Sequence, residues 1–202
     1  TDNLVFLVDA GNVKSYAGNV ASPIGTDYGY FGGGQPGLSS VDRIDYSNDT
    51  ATAAAKGPLS EDTSYHAATG NASYGYFGGG YPGEKSKVDR VDYSNDTATA
   101  AVKGPLSQAR YSLGAVGNNS YGYFGGGTNP AVPAKYSLVD RIDYSNDTAT
   151  AAAKGSLTLA RPQAAGTGNS SYGYLGGGFN LPGPNNRTTI VDRIDYSNDT
   201  PT

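Results

Sequence analysis

The sequence predicts an all-β protein built from four tandem units, and three observations carry that expectation. A glycine-aromatic block, Tyr-Gly-Tyr-Phe/Leu-Gly-Gly-Gly, begins at Tyr28, Tyr74, Tyr121 and Tyr172, and a second block, Val-Asp-Arg-Ile/Val-Asp-Tyr-Ser-Asn-Asp-Thr, begins at Val41, Val88, Val139 and Val191. The spacings are 46, 47 and 51 residues for the first and 47, 51 and 52 for the second, and a period near 50 with short strands and glycine turns marks a repeat architecture. The composition agrees: 30 Gly, 17 Tyr and 5 Phe suit sheets whose interiors combine small residues, which let neighbouring sheets come close, with rings that fill the wider gaps.

From the N-terminus, Leu4, Val5, Phe6, Leu7 and Val8 form the most hydrophobic run and, stopped by Asp9-Ala10-Gly11-Asn12, read as a buried strand. The four units follow at approximately 15–60, 61–107, 108–157 and 158–202, in one domain over 1–202 with residues 1–18 as closing strand and linker. The second unit shows the reading in detail. Residues 64–69 are its first strand and 73–77 its second, ended by Gly78-Gly79-Gly80. Residues 87–93 are the third, Asn95-Asp96 the turn, and 98–103 the fourth, after which Gly104-Pro105 breaks the ladder because Pro has no amide hydrogen to donate. The first unit has room for its first strand within 15–24. The last stops just after Asn198-Asp199-Thr200, so its fourth strand is missing, and Leu4–Val8 is the segment expected to fill that edge, in its own chain or in a neighbouring subunit.

An apolar strand closed by a glycine pair, a variable loop, a Val-acid-Arg-x-Asp strand, a polar turn and a last strand ending near Pro resemble the kelch motif of β-propellers over roughly residues 15–202. That resemblance implies a kelch-like β-propeller of four four-stranded blades, the last completed by the N-terminal strand. The chain departs from the motif where kelch units carry Tyr in the third strand and Trp after the turn: here stand Ile44, Val91, Ile142 and Ile194, then Ala51, Ala98, Ala149 and Pro201. Blades without that Trp are expected to be slimmer or differently packed. The segment Asp2 to Tyr16 resembles the opening of many tailed-phage virion proteins, and the near-verbatim Asp-Tyr-Ser-Asn-Asp-Thr repeats resemble tandem repeats in predicted tail or fibre proteins of phages that infect cyanobacteria. Those resemblances imply a virion or extracellular location.

Several function classes are disfavoured by composition. A net charge of −4 with scattered Lys and Arg does not suit nucleic-acid binding, which needs a basic stripe to displace counterions from phosphates. No run approaches a membrane span of about 20 apolar residues. Without Cys and with His66 as the only histidine, neither a metal cluster nor a His-based triad can be assembled, so no metal or cofactor is expected, and His66 is expected on a strand surface. The glycine triplets lack the Lys-Ser/Thr and helix of a phosphate loop, and are expected to supply positive φ and close approach. The Arg flanked by Asp in each unit is expected to form an ion pair between blades. Asp45-Tyr46-Ser47-Asn48-Asp49 lacks the Gly and distal Glu of a calcium loop and reads as an Asx-type turn.

Function is therefore sought where the repeat is broken. The loops after the glycine triplets, 35–40, 81–87, 128–138 and 179–190, differ in length and sequence. Their Tyr81, Tyr136, Phe179, Asn180 and Arg187 are groups that stack on and hydrogen-bond to a glycan or a partner. The N-glycosylation acceptor pattern occurs at Asn48, Asn71, Asn95, Asn118, Asn146, Asn169, Asn186 and Asn198. The leading expectation is a non-enzymatic structural module of an extracellular fibre or phage virion appendage. It would self-associate as a homo-oligomer or filament, or bind other virion proteins. The alternative is a carbohydrate- or receptor-binding propeller that uses the loops; a glycan-cleaving enzyme ranks last, because the paired carboxylates belong to the repeated framework.

Overall fold

The computed structural model describes residues 28–132, 134–179 and 187–201, and within them the chain is all-β. The first sheet holds β1 (Tyr28–Gly32), β2 (Val41–Asp45) and β3 (Ala54–Lys56). The second holds β4 (Ala67–Gly70), β5 (Tyr74–Gly78), β6 (Val88–Asp92) and β7 (Ala101–Lys103). In the third, β8 (Gly114–Gly117) and β9 (Tyr121–Gly125) precede a small ribbon, β10 (Thr128–Asn129) and β11 (Ala134–Lys135). The sheet continues with β12 (Leu138–Asp143) and β13 (Ala152–Ser156). The fourth holds β14 (Ala165–Gly168), β15 (Tyr172–Gly176), β16 (Val191–Asp195) and β17 (Thr200–Pro201). Each is an antiparallel meander in sequence order, with β4, β8 and β14 at one edge of their sheets. These three edge strands lie side by side, β8 between the other two.

Two expectations about strands are corrected. The turn after the third strand is a 3-10 turn, Tyr93–Asn95 in the second unit, so the fourth strand begins at Ala101 rather than 98. Asp45, Asp92 and Asp143 cap these turns, each accepting the amide of the Ser two residues on, which is the Asx geometry the sequence led us to expect. The last unit does have the start of a fourth strand: Thr200 pairs with Asp195 and Pro201 with Ile194. It covers only that end of β16, whereas β3 and β7 cover the other end, opposite Val41 and Val88. Leu4–Val8 and the expected first strand within 15–24 lie outside the described residues.

The sheets pack through a contact that recurs between successive units. An aromatic or leucine side chain of the second strand sits on the closing glycine of the preceding unit: a Cβ at Gly32 would stand 2.9 Å from Phe77 Cε1, at Gly78 2.8 Å from Phe124 Cε1, and at Gly125 2.5 Å from Leu175 Cδ1. Only a residue without Cβ leaves room for that ring. In place of a Trp, two tyrosines from neighbouring units stack: Tyr30 on Tyr93 and Tyr76 on Tyr144 at 4.6 Å, Tyr123 on Tyr196 at 5.1 Å. Three apolar clusters result, each drawing on two adjacent sheets.

Beside each stack, one carboxylate is gripped by three donors of the preceding unit. Asp96 accepts from Tyr30 Oη at 3.0 Å and Arg43 at 2.8 Å, with Lys56 Nζ at 3.2 Å. Asp147 accepts from Tyr76 at 3.0 Å and Arg90 at 2.7 Å, with Lys103 at 3.2 Å. Asp199 accepts from Tyr123 and Arg141, both at 2.6 Å, with Lys154 at 3.0 Å. Each arginine is held over a tyrosine ring of its own unit, Tyr28, Tyr74 or Tyr121, at 4.1 to 4.2 Å, so its guanidinium is aimed before the carboxylate arrives. The repeated arginine thus forms an ion pair between sheets, with the acid of the next unit's turn rather than with its flanking aspartates.

Candidate functional site

The glycine triplets launch the variable loops. Gly33, Gly79, Gly126 and Gly177 have φ of 68°, 74°, 70° and 71°, a left-handed turn that a side chain would strain, and the four loops leave from the same end of their sheets. At that end the chain also enters the edge strands β4, β8 and β14 through a second left-handed residue that is not glycine: Tyr65 (φ 55°), Ser112 (φ 58°) and Gln163 (φ 62°). Their backbones are linked in series, the Ser112 amide donating to the Tyr65 carbonyl and the Gln163 amide to the Ser112 carbonyl, both at 2.7 Å. Strained non-glycine residues of this kind concentrate at functional surfaces, held by the structure around them.

Around these residues the loops build an aromatic patch. Tyr81, 41% exposed, meets Tyr111 with ring centroids 5.6 Å apart, and Tyr111 meets Tyr65 at 5.8 Å. The backbone fixes the first two: residues 64 and 81 exchange amide bonds at 2.8 and 2.9 Å, and residues 111 and 128 at 3.1 and 2.9 Å. The loop that carries Tyr81 is fastened at its far side, where Glu61 takes Lys85 at 3.0 Å and Lys87 at 2.8 Å. Those two lysines hold the Glu61 carboxyl below its usual range. Burial, followed by the Glu84 charge, raises the Tyr111 phenol, which therefore stays a neutral hydrogen-bond donor. Half-exposed rings on a pinned backbone can stack on the apolar face of a sugar or on a partner's side chain.

Of the other loop residues singled out by sequence, Phe179 and Arg187 face each other across a β-bridge, the guanidinium 5.8 Å from the ring centre. Tyr136 is tied through its backbone, donating to Gly127 and accepting from Arg161. Asn180 lies outside the described residues. The five therefore do not form one cluster: Tyr81 joins Tyr65 and Tyr111, while Phe179 and Arg187 form a separate pair. Tyr65 and Tyr111 were missed because they occupy different positions of their units, Tyr65 matching Ser112 and Tyr111 matching Ser64, so no repeated pattern announces them.

At the opposite end, a cleft of about 160 Å³ opens between the edge strands, lined by Thr69, Val116, Gly117, Asn118 and Thr167 among others. The acceptor asparagines divide into two groups. Asn71, Asn118 and Asn169 turn the hairpins at this end, each side chain accepting two backbone amides. Asn48, Asn95, Asn146 and Asn198 are exposed in the 3-10 turns and the matching turn of the last unit, and Asn186 lies outside the described residues.

His66 is not on a surface; it is 1% exposed. Its ring lies under Gly33, where Leu113 lies under Gly79 in the next unit, so the packing position is apolar by design of the repeat. Among the described residues neither ring nitrogen has a hydrogen bond of good geometry, and burial pushes its pKa down to about 4, with the nearby Gly32 carbonyl acting in the opposite direction. The neighbouring Thr63 hydroxyl likewise has no partner among the described residues. Thr63 stands where the later units place Arg110 and Arg161, which are fully buried and paired with Asp140 at 2.8 Å and Asp192 at 2.6 Å. The second unit thus lacks the arginine that satisfies the matching aspartate elsewhere, and Asp89 is served instead by Lys87 at 3.3 Å and the Ser60 amide at 3.0 Å.

No protein-family model matches the chain, and no curated protein matches its sequence. Among solved structures the fold is similar to that of YjhT, with a TM-score of 0.72 over 92% of this chain at 14% identity. The match spans 63% of the length of YjhT, and at that identity the likeness is one of fold.

Proposed function

We propose that the chain is a non-enzymatic structural module of an extracellular fibre or phage virion appendage. It would be built as a kelch-like β-propeller of four blades and assemble through strand and blade packing. The observation that carries this reading is the thrice-repeated grip of Tyr, Arg and Lys on the next unit's aspartate, because it assigns the conspicuous charged residues of the repeat to scaffold. The buried acids Asp140 and Asp192 are likewise taken up by arginine, leaving those carboxylates engaged rather than poised for acid-base chemistry. The side-by-side packing of β4, β8 and β14 is what the centre of a propeller requires. Gold-labelled antibody against the purified protein tests the location: decoration of fibres or particle appendages from the producing culture is expected, and label confined to cell interiors would refute it.

A second reading, carbohydrate or receptor binding through the loop face, is favoured by the Tyr65–Tyr111–Tyr81 patch. Screening wild type and Tyr81→Ala on a glycan array decides it: signals lost in the variant support the reading, and signals equal in both, or absent in both, remove this patch from consideration.

A further inference from the structure

One buried place in the second unit keeps the acceptors of a guanidinium group, while the residue that supplies that group elsewhere is a threonine. In the third unit Arg110 donates to Asp140 at 2.8 Å, to the Gly126 carbonyl at 2.9 Å and to the Phe124 carbonyl at 3.1 Å. In the fourth, Arg161 donates to the Leu175 carbonyl at 2.9 Å and pairs with Asp192 at 2.6 Å. The second unit has Thr63 at this position, with Asp89, Gly79 and Phe77 in the places of Asp140, Gly126 and Phe124.

The frame around the three residues is the same. The carbonyls of Thr63, Arg110 and Arg161 accept from the amides of Gly34, Gly80 and Gly127 at 3.0, 3.1 and 3.0 Å. The three aspartates accept from the amides of Ser60, Ser107 and Thr158 at 3.0, 3.1 and 2.8 Å. The side chains start over equivalent glycines: a Cβ at Gly80 would strike the Thr63 hydroxyl, and one at Gly127 or Gly178 would stand 3.4 or 3.3 Å from Cδ of Arg110 or Arg161. The backbone has not closed in on the smaller residue. Threonine has as many side-chain heavy atoms as arginine has up to Cδ, and what it lacks is the guanidinium group, so the frame provides for a body of that size.

The polar atoms around this place agree. Thr63 Oγ1 and Asp89 Oδ1 have no hydrogen-bond partner among the described residues, and the His66 ring nitrogens none of good geometry. Thr63, Asp89 and His66 are 3%, 2% and 1% exposed. Leu113, which His66 replaces, packs beside Arg110 over Gly127, so the two departures of the second unit from the repeat are adjacent. Lys87 does not complete the set: its ammonium lies 3.3 Å from Asp89 Oδ2, is shared with Glu61 at 2.8 Å, and leaves Oδ1 without a donor. Buried acceptors are costly unless donors reach them. A water brings two hydrogens and no charge, whereas a guanidinium brings a charge for Asp89 and N–H groups in one plane, the donor set that this frame holds in the next two units.

We propose that this place is a binding site for a free guanidinium ion, held by Asp89, the Phe77 and Gly79 carbonyls and Thr63, and standing where Arg110 and Arg161 put their own guanidinium groups. A guanidine with a long tail is rejected, because Thr63 itself occupies the path of the arginine stem. Lys87, 21% exposed and shared with the exposed Glu61, is the part of the wall that opens to solvent. The site is separate from the fibre-module and glycan readings and stands or falls without them.

Guanidinium chloride at millimolar concentration, far below the denaturing range, is the probe; urea, its neutral planar isostere, and sodium chloride are the controls. At ten times its dissociation constant the ion is expected to raise the thermal midpoint of wild type by about 3–6 °C, and the controls to leave it unchanged. Thr63→Arg installs the residue of the two later units. It is expected to raise the midpoint without any ion and to lose the response to it, since a tethered guanidinium then fills the site. Asp89→Asn removes the charge and is expected to lose the response as well. Wild type that shows no shift by about 10 mM, ten times a dissociation constant at the weak end of specific binding, overturns the proposal. So does an equal shift with urea or sodium chloride, which would mark hydration or ionic strength, and so does a response that persists in Thr63→Arg, which would place the ion elsewhere. A higher midpoint of Thr63→Arg beside an unresponsive wild type would mean that water alone serves these atoms, and likewise ends it.

Discussion

Replacing Asp147 by Asn tests the repeated grip with the least change of shape. Asp147 is 7% exposed and holds three donors, the Tyr76 hydroxyl, Arg90 and Lys103. The amide keeps one acceptor oxygen but cancels the charge that balances two cations, whose side chains are 22% and 15% exposed and therefore partly screened. Breaking a fully buried ion pair costs about 3–5 kcal/mol; with that screening and one acceptor retained, we expect a loss of about 2–4 kcal/mol. For a chain of this size that lowers the thermal midpoint by about 4–16 °C. Asp49→Asn is the same chemical change at an exposed position and is expected to stay within about 0.5 kcal/mol of wild type. Calorimetry on dilute protein measures both. Equal shifts in the two variants, or a midpoint for Asp147→Asn within a degree or so of wild type, would refute the assignment of the grip as a stabilising contact.

His66→Leu installs the residue that the next unit carries at this position and removes two buried nitrogens that have no partner among the described residues. We expect it to stabilise the fold and to flatten the acid limb of the stability profile. The sign follows from the depressed pKa: unfolded histidine takes up a proton near pH 6.5 but the buried ring only near 4, so wild type loses stability as pH falls between those values and the variant does not. Urea titrations at several pH values would show it, and parallel profiles would contradict it. At the alkaline end, burial and the Asp96 acceptor push Tyr30 up to about 12, and burial with the matching acids raises Tyr76 and Tyr123 as well. Unfolded phenols ionise near pH 10, so stability is expected to be full below that pH and to fall as pH rises toward 12, with phenolate absorbance appearing together with loss of the fold; phenolate growing in smoothly on folded protein would count against it. Gly78→Val drives a side chain into the Phe124 ring and is expected to cost about 1–3 kcal/mol or more, while Gly176→Val, where among the described residues only Val191 stands within reach of the new side chain, is expected to leave the thermal midpoint nearly unchanged. Matched losses in the two would show that the glycine is needed for the strand itself.

Much of the frame was legible because the repeat supplies its own alignment. Four copies of one block fix which residues are equivalent, and the strand period then sets which side chains share a face, so the all-β class, the glycine turns and the role of Arg43, Arg90 and Arg141 between sheets could be read without coordinates. The acid each arginine meets could not. Asp42 and Asp45 are close in sequence, but neighbouring residues of a strand point to opposite faces and alternate ones stand side by side. The guanidinium instead reaches across the sheet gap to a turn about 50 residues away, and only packing reveals that. The fate of His66 was hidden for the same reason. A lone polar residue in a short strand suggests solvent, and nothing local says that its position is the apolar plug under a neighbouring glycine.

Symmetry also decides where function should be sought. Where all units agree, the residues are engaged with one another: the stacked tyrosines, the gripped aspartates and the rings on glycine. Departures from the pattern are of three kinds. In the second unit Thr63 and His66 replace an arginine and a leucine, which leaves buried polar atoms with no partner among the described residues and exposes neither side chain. On the loop face, Tyr65, Tyr81 and Tyr111 form a patch that no other unit repeats among the described residues, and Tyr81→Ala on a glycan array asks whether it binds. At the two ends of the described residues, Phe31, Asp49, Tyr174, Gly176 and Arg193 are the same residue types that interlock elsewhere, and among the described residues no neighbouring unit covers them. Of these departures the loop-face patch is the one that places rings at the surface on a backbone pinned by paired amide bonds, and that is why a search for a surface ligand starts there.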